Sequence, residues 1–499
     1  MTTITREREQ KYETPLGVAL PPLSGLPQVT AESGPETATL TAEYYDTDDL
    51  RLLKAGITLR RYEGGTDEGW HLKLPDETAR REMRVPLDRS GAAAPDELTR
   101  LVRVHSRRAA LRPVARIETR RRTTTLRDAT GTSLAEVMVD EVAAQTLGVS
   151  TTLSRWDEIE VELTGGNRKL LRAADKWLRH RGLRRAGYTA KLERALGAEP
   201  PEHHPEPIRR PTAGEAVLAY LAAQTARLKS LDPAVRSDEP DSVHQMRVTT
   251  RRLRSTLQSF PGVLRESATR HLRDDLKWLG GVLGRARDIE VLSAYLRSTL
   301  AGLPTELVMG PVVARVTVHF APLETDARNT VARALESDRY FAMLDKLEGL
   351  LKDPPLTAEA SESARDVLGA EVSRARKRTM RRIRRVRRVP AGRDRDVALH
   401  EARKGAKRAR YAAEAAKPAL GKRARRFAKR MQAVQSVLGD HQDAVNARAA
   451  AREIGVQAHL AGENAFSFGL LHERADRDAC HHQREARRAW KRAAHAKLA

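Results

Sequence analysis

Five residues at the start of the chain, Glu7-x-Glu9-x-Lys11, put two acids and a base on one face of an extended strand, because strand side chains alternate with a period of two. The arrangement recurs downstream. His71 shares a face with Lys73, Arg116 with Glu118, Arg120 and Arg122, Glu136 with Asp140, and Glu158 with Glu160 and Glu162. Gathered on the inner wall of one sheet, such residues suit a metal-dependent reaction on a phosphate chain. The bases neutralise non-bridging oxygens, and the carboxylates hold a hard divalent cation such as Mg²⁺ or Mn²⁺. Attack by water at phosphorus then needs mainly positioning and electrostatic stabilisation. No Gly-rich loop ending in Lys-Ser or Lys-Thr is present, so a P-loop is not the phosphate cradle.

A second constellation is written twice. Val243-His244-Gln245-Met246-Arg247 leads into Arg251-Arg252-Leu253-Arg254, and Leu399-His400-Glu401-Ala402-Arg403 leads into Lys407-Arg408-Ala409-Arg410 at the same spacing. Leu-Gly-x-x-x-Asp follows each, first as Leu283-Gly284 to Asp288 and then as Leu438-Gly439 to Asp443. A repeated, ordered pair of motifs marks an internal duplication. At about 100° per residue, each histidine and its basic companions fall on one broad helical stripe, and two facing stripes make a cationic groove.

Composition narrows the partner. The net charge of +24 with pI ≈ 10.5 points to a polyanion. Residues 1–200 carry 33 basic and 30 acidic residues and the remainder 57 and 36, so the polyanion belongs mainly to the second part. Aromatic residues make up 4% of the chain, which disfavours nucleic acid read by base stacking. The single cysteine, Cys480, excludes an intramolecular disulfide and fits a reducing compartment. No apolar run approaches the ~20 residues that span a bilayer, and no apolar signal core is present, so a cytoplasmic location is expected. Nothing in the chain indicates an oligomeric state.

The elements that must position these residues divide at a proline-rich stretch. Two-residue alternation before it predicts eight strands, near residues 3–13, 38–46, 55–63, 69–75, 80–87, 114–127, 132–146 and 153–163, and a helix within 167–181. Closed with charged faces inward, eight antiparallel strands form a polar tunnel whose apolar outside needs covering by helices. The expected domains are residues 1–197, a linker at 198–212, and 213–499 with halves near 213–355 and 356–499. The fold class is α+β on an eight-stranded antiparallel tunnel or barrel, followed by an all-α domain of two pseudo-symmetric antiparallel bundles. Ten to twelve helices are expected there, with breaks at Gly280-Gly281 and Gly439 among others.

The first part resembles the CYTH family, the triphosphate tunnel metalloenzymes. The resemblance is carried by Glu7-x-Glu9-x-Lys11, Tyr45-Asp46-Thr47, Leu59-Arg60, Leu72-Lys73-Leu74-Pro75, Arg81-Glu82, Glu136 to Asp140 and Trp156 to Glu162. It covers roughly residues 3–195, and the family includes inorganic triphosphatases, thiamine triphosphatases and adenylyl cyclases. It implies that Glu7, Glu9, Glu160 and Glu162 hold Mg²⁺ or Mn²⁺ and that Lys11 acts near the reacting phosphate. Arg60, Lys73, Arg116, Arg120 and Lys191 would grip the phosphate oxygens. Two positions depart from the family pattern: Tyr62 stands where a second arginine is common, and Arg84 where an acid is common.

Residues 213–499 resemble CHAD domains, the conserved histidine α-helical family. The resemblance implies a basic channel for inorganic polyphosphate, with Arg247, Arg251, Arg254, Arg403, Lys404, Lys407, Arg408 and Arg410 on phosphates and His244 and His400 beside them. Asp288 and Asp443 would orient those bases, with Lys277 and Arg287 as secondary contacts. Together the two resemblances imply hydrolysis of inorganic triphosphate or a related triphosphate beside polyphosphate binding, and association with polyphosphate granules. The rival reading is a non-catalytic polyphosphate-binding granule protein, and a third is an adenylyl cyclase. The run Arg381 to Arg388 reads as an amphipathic helix with Met380, Ile383 and Val386 as its seam, and Cys480-His481-His482 as no metal site, since adjacent residues diverge round a helix.

Overall fold

The computed structural model describes the chain apart from residues 1–2, 18–19, 21, 24, 66, 76–79, 88–92, 149, 198–209, 391 and 495–499, and apart from the side chains of 3, 4, 6, 7 and 80. Two compact units result, Met1–Glu206 and Pro207–Ala499. The expected linker lies largely outside the described residues.

The first unit is an antiparallel sheet. Its strands are β1 (Thr3–Glu7), β2 (Glu9–Thr14), β3 (Ala31–Asp46), β4 (Thr58–Glu63), β5 (Gly69–Pro75), β6 (Arg80–Val85), β7 (Arg112–Arg127), β8 (Ser133–Thr146), β9 (Leu153–Leu163) and β10 (Arg184–Arg185). They pair in the order β1-β6-β5-β4-β3-β7-β8-β9-β2-β10. Only Arg8 separates β1 from β2, so one interrupted N-terminal strand pairs with β6 on one side and β9 on the other. No ladder joins β1 to β2 among the described residues, so the sheet is not closed by hydrogen bonds as a barrel would be, and only the chain at Arg8 links its β1 edge to β2. Counting that strand once and setting aside the two-residue β10 leaves the eight strands expected.

Alternation explains the layers. Ala135, Val137 and Val139 of β8 and Ile159 and Val161 of β9 face outward, where Leu170, Ala174 and Leu178 of a helix cover them. Leu59, Trp70, Leu72, Leu74 and Met83 of β4 to β6 are covered in the same way by Leu98, Leu101 and Val102. The unit's helices are α1 (Arg51–Lys54), α2 (Asp96–Ser106), α3 (Arg168–His180) and α4 (Lys191–Leu196); α3 and α2 provide those two covers. Asn167 caps α3 by accepting from the Lys169 and Leu170 amides, which sets where it starts. On the inside, Leu192 and Ala195 of α4 pack with Ala42, Tyr44, Ile117 and Trp156 and plug one end of the sheet's interior.

The second unit has α5 (Ala213–Arg236), α6 (Ser242–Ser259), α7 (Glu266–Ala301), α8 (Val312–Leu335), α9 (Asp338–Lys352), α10 (Ala364–Val386), α11 (Arg393–Ala415), α12 (Lys417–Leu460) and α13 (Phe466–Ala494). Among the described residues these are nine helical stretches, the long α12 being two runs joined across a non-helical Gly421, and Gly280-Gly281 and Gly439 lie inside α7 and α12 rather than breaking them as expected. Glycine in a helix costs about 1 kcal/mol relative to alanine, and packing overrides it. A Cβ on Gly439 would meet Arg403 Nη2 at 3.2 Å, so that glycine lets the arginine lie across the helix, whereas a Cβ on Gly284 would stand in ordinary contact with Arg247 Nε at 3.5 Å. The two halves also meet at their starts. The Ala213 amide donates to the Glu362 carbonyl at 2.8 Å and the Ala364 amide to the Pro211 carbonyl at 3.2 Å, a reciprocal pair at the beginnings of α5 and α10. None of the helices described is long and apolar enough to cross a membrane.

Candidate functional site

One cavity is lined by the inner faces of β2 to β9, and its charges are paired. Lys11 contacts Glu160 and lies 3.6 Å from Glu9. Arg60 and Lys73 approach the buried Glu82 at 3.8 and 3.7 Å. Glu82 also meets His71 Nδ1 at 3.0 Å and Arg84 Nε at 2.6 Å, and Arg84 continues to Asp67 at 2.7 Å. Towards α4, Lys191 Nζ stands 2.8 Å from Asp140, 2.8 Å from Glu158 and 2.6 Å from Glu160. Arg121 lies 2.6 Å from Asp140 and 2.9 Å from Glu160. Burial alone would push Glu160 up, but Lys11, Lys191 and Arg121 together hold its carboxyl well below the usual carboxylate range. Burial likewise works against the Lys191 ammonium, which Asp140, Glu158 and Glu160 nevertheless hold well above its ordinary value.

The structure corrects one face. Arg116 and Arg120, expected inside, are exposed on the outer side of β7, and Ile117, Thr119 and Arg121 line the cavity instead. The physical reason is cross-strand pairing: Arg121 is the direct partner of Asp140, whose buried carboxylate needs a cation, and Arg120 is the partner of the exposed Glu141, 3.8 Å away. Glu9, Lys11, Arg60, Lys73, Glu160, Glu162 and Lys191 do come together in the cavity. The side chain of Glu7 lies outside the described residues.

In the second unit the two cassettes lie on α6 and α11, which pack against each other. Arg247 Nη1 donates to Asp288 at 3.1 Å. Burial disfavours the Arg403 cation, Asp443 favours it, and Arg251 of the other cassette repels it. Lys407 is pulled down to about 6 by burial and by the neighbouring Arg403, Arg251 and Arg247. Cations of both repeats thus form one basin. His244 and His400 flank it and are held below the ordinary imidazole value, mainly by burial, with Arg287 acting on the first and Lys404 on the second. His400 Nδ1 meets Gln442 at 3.0 Å, whereas His244 Nδ1, Arg251 Nε and Arg403 Nε are buried without a hydrogen-bond partner among the described residues. Lys404 and Arg410 turn to Glu401 and Glu414, each at 2.8 Å. Arg254 and Arg408 line a neighbouring groove.

Comparison with known proteins decides the family. A CYTH domain model matches residues 6–195 and a CHAD domain model residues 219–452. The chain belongs to the CYTH-CHAD proteins. The "Uncharacterized protein Rv2226" of Mycobacterium tuberculosis is 37% identical over 96% of this chain and 95% of its own length. Among solved structures, PptA from Streptomyces chartreusis is similar at 22% identity over 56% of this chain and 99% of that one, with a TM-score of 0.48. The CHAD domain from Ricinus communis is similar at 28% identity over 53% and 86%, with a TM-score of 0.42. CYTH domains belong to triphosphatases and cyclase-like enzymes and depend on divalent metal, which supports phosphoryl-transfer chemistry in this CYTH unit.

Within the CYTH cavity two acidic groups differ in fitness for an ion. Asp140, Glu158 and Glu160 bring ligand oxygens within 4.8 Å of one another, but the Lys191 ammonium stands among them. Glu9 and Glu162 are cross-strand partners, as are Glu162 and Glu136, and all three line the cavity. Their carboxylate oxygens are of the type that Mg²⁺ or Mn²⁺ prefers, but they are not drawn within 4.8 Å of one another as those of the first group are. Two features escaped the sequence. Arg121 sits on a strand with charge on both faces, and Glu82, quoted within Arg81-Glu82 but given no role, anchors four basic side chains. In the CHAD unit, His481 and His482 both reach Glu485, at 3.6 and 3.5 Å, and Cys480 is exposed and free.

Proposed function

We propose that the CYTH unit hydrolyses inorganic triphosphate or a related triphosphate with a divalent metal, and that the CHAD unit binds inorganic polyphosphate. The observation that carries this reading is the cavity itself, where Arg60, Lys73 and Arg121 on three strands surround the space that Glu9, Glu136 and Glu162 border. Those three carboxylates, with Glu7, would hold Mg²⁺ or Mn²⁺, which supplies charge neutralisation on the phosphate oxygens when bound. Lys11, between Glu9 and Glu160, places an ammonium beside that group for the reacting phosphate. Arg60, Lys73 and Arg121 orient the remaining oxygens, and α4 excludes water from one end.

Tyr62 lines the wall where a second arginine was expected, which favours a merely binding tunnel. Arg121 answers that deficit, because its guanidinium interacts with Tyr62 from the adjoining wall. In the CHAD unit, repulsion within the basin is what a chain of phosphates would relieve. The protein would then sit where polyphosphate accumulates, in cytoplasmic granules.

The test is phosphate release from triphosphate by the intact chain with Mg²⁺ or Mn²⁺. Turnover is expected, with a loss of at least 100-fold in Glu9→Ala, the scale of a removed electrostatic group in a closed site. Equal turnover in a Glu7→Ala/Glu9→Ala double variant rejects the assigned acids. Cyclic AMP from ATP identifies a cyclase instead, and tight polyphosphate binding without turnover identifies the granule-binding rival.

A further inference from the structure

An open groove beside the CHAD basin is walled by arginines from four helices: Arg254 of α6, Arg273 of α7, Arg378 and Arg382 of α10, and Arg408 of α11. Resting on the reading of the CHAD unit as a polyphosphate binder, we propose that this groove is a second phosphate-chain site, through which a long chain leaves the basin on one side only.

Charge is the first ground. Arg254, Arg378, Arg382 and Arg408 make no ion pair with any carboxylate among the described residues, while the groove's only acid, Glu371, is held by Arg374 at 2.7 Å. The cations act on one another: burial and the nearness of Arg382, Arg254 and Arg378 disfavour the charge on Arg408, and the nearby Glu401 does not offset them. In the CYTH cavity, by contrast, Lys11, Arg60, Lys73, Arg121 and Lys191 all have carboxylate partners. Unpaired guanidinium groups facing a shared space need an anion, and their fork geometry suits phosphate oxygens.

Continuity is the second ground. Arg254 lies one helical turn beyond Arg251 on α6, and Arg408 follows Lys407 on α11, so the groove begins where the basin ends. Construction is the third. Gly405 forms the floor, and a Cβ there would meet Arg382 Cδ at 3.2 Å and Thr379 Oγ1 at 3.3 Å; its absence lets the α10 arginine lie over α11. The duplicated half lacks the feature, because α5 carries three basic residues in 24 where α10 carries nine in 23. No aromatic side chain lines the groove, which favours a plain phosphate chain over nucleic acid.

The test uses the full chain and measures binding of long-chain polyphosphate and of tripolyphosphate at one fixed salt concentration. Arg378→Ala/Arg382→Ala is expected to weaken the long chain at least tenfold, to change tripolyphosphate less than twofold, and to flatten the salt dependence for the long chain. Arg381→Ala/Arg385→Ala, an equal change of charge on the exposed side of α10, should leave both unchanged. Long-chain binding untouched by the groove variant, or weakened equally by both variants, overturns the groove while leaving the basin standing. No polyphosphate binding by the unaltered chain defeats the underlying reading instead, and tighter binding of duplex or single-stranded DNA than of polyphosphate replaces the ligand.

Discussion

Lys191→Ala should be the most destabilising single substitution in the CYTH unit, costing about 3–5 kcal/mol because it strands the buried Glu158 without a cation and leaves Asp140 and Glu160 to Arg121 and Lys11 alone. Asp140, Glu158 and Glu160 surround the ammonium, and the side chains of Asp140 and Glu158 are fully buried. For a unit of this size the loss corresponds to a fall of roughly 10 °C or more in its melting transition, measurable on the intact chain by calorimetry. Part of the loss is also geometric, since α4 carries Lys191 into the cavity and Leu192 and Ala195 follow it.

Acidity separates this mechanism from lost packing. In the unaltered protein Asp140 and Glu160 are held below their unfolded values, so their contribution is present above about pH 4 and disappears as pH falls through the depressed folded values. Lys191 is held above its unfolded value, so its contribution persists up to about pH 10.4 and fades only beyond that. Without Lys191 the acids repel one another, and protonation relieves them. The stability gap between variant and parent should therefore narrow as pH is lowered from 7 to 4. A constant gap across that range would mean that the lysine acts only as a spacer.

Lys191 also shows what the chain order conceals. Glu158, Glu160 and Glu162 announce their shared face through spacing alone, and Val161 and Ile159 announce the opposite one. Lys191 comes 29 positions after Glu162, on a six-residue helix that the periodicity did not predict, and only family resemblance flagged it. Strand β7 fails for a different reason. Arg116, Glu118, Arg120 and Arg122 make one face look functional, but Arg121 on the other is the residue that Asp140 requires, and pairing across strands is tertiary information. The helical half was legible because it is duplicated: His244 and His400 announce equivalent helices at a distance of 156 residues. The breaks inside it were misread because glycines look like loop residues: Gly439 gives room to Arg403, whereas Gly280 packs by Thr250 and Gly281 faces open space, so nothing local marks that pair as helical.

Polyphosphate binding by the CHAD basin should take up close to one proton at pH 7.5. Lys407, drawn down to about 6 by burial and by Arg403, Arg251 and Arg247, is mostly neutral there in the free protein. A phosphate chain beside it restores the charged form and raises it towards its ordinary value of about 10.4. Affinity should consequently fall as pH rises above 6, and titration calorimetry in two buffers of different ionisation heat should report the uptake directly. At pH 5, where the lysine is already charged, its share of the uptake should vanish, leaving only what His244 and His400 take up. The free protein carries the complementary signature: between pH 6 and about 10.4 the unfolded chain binds the proton that the folded one refuses, so this lysine makes stability rise with pH across that window. Lys407→Ala abolishes the proton uptake while leaving weakened binding. Arg251→Glu/Lys407→Glu, which removes two phosphate contacts and adds repulsion, should weaken binding by about 100-fold or more, at roughly 1.5–3 kcal/mol for each charged hydrogen bond. Tight binding with no proton taken up would place the phosphate chain away from Lys407, outside the seam where the two cassettes meet.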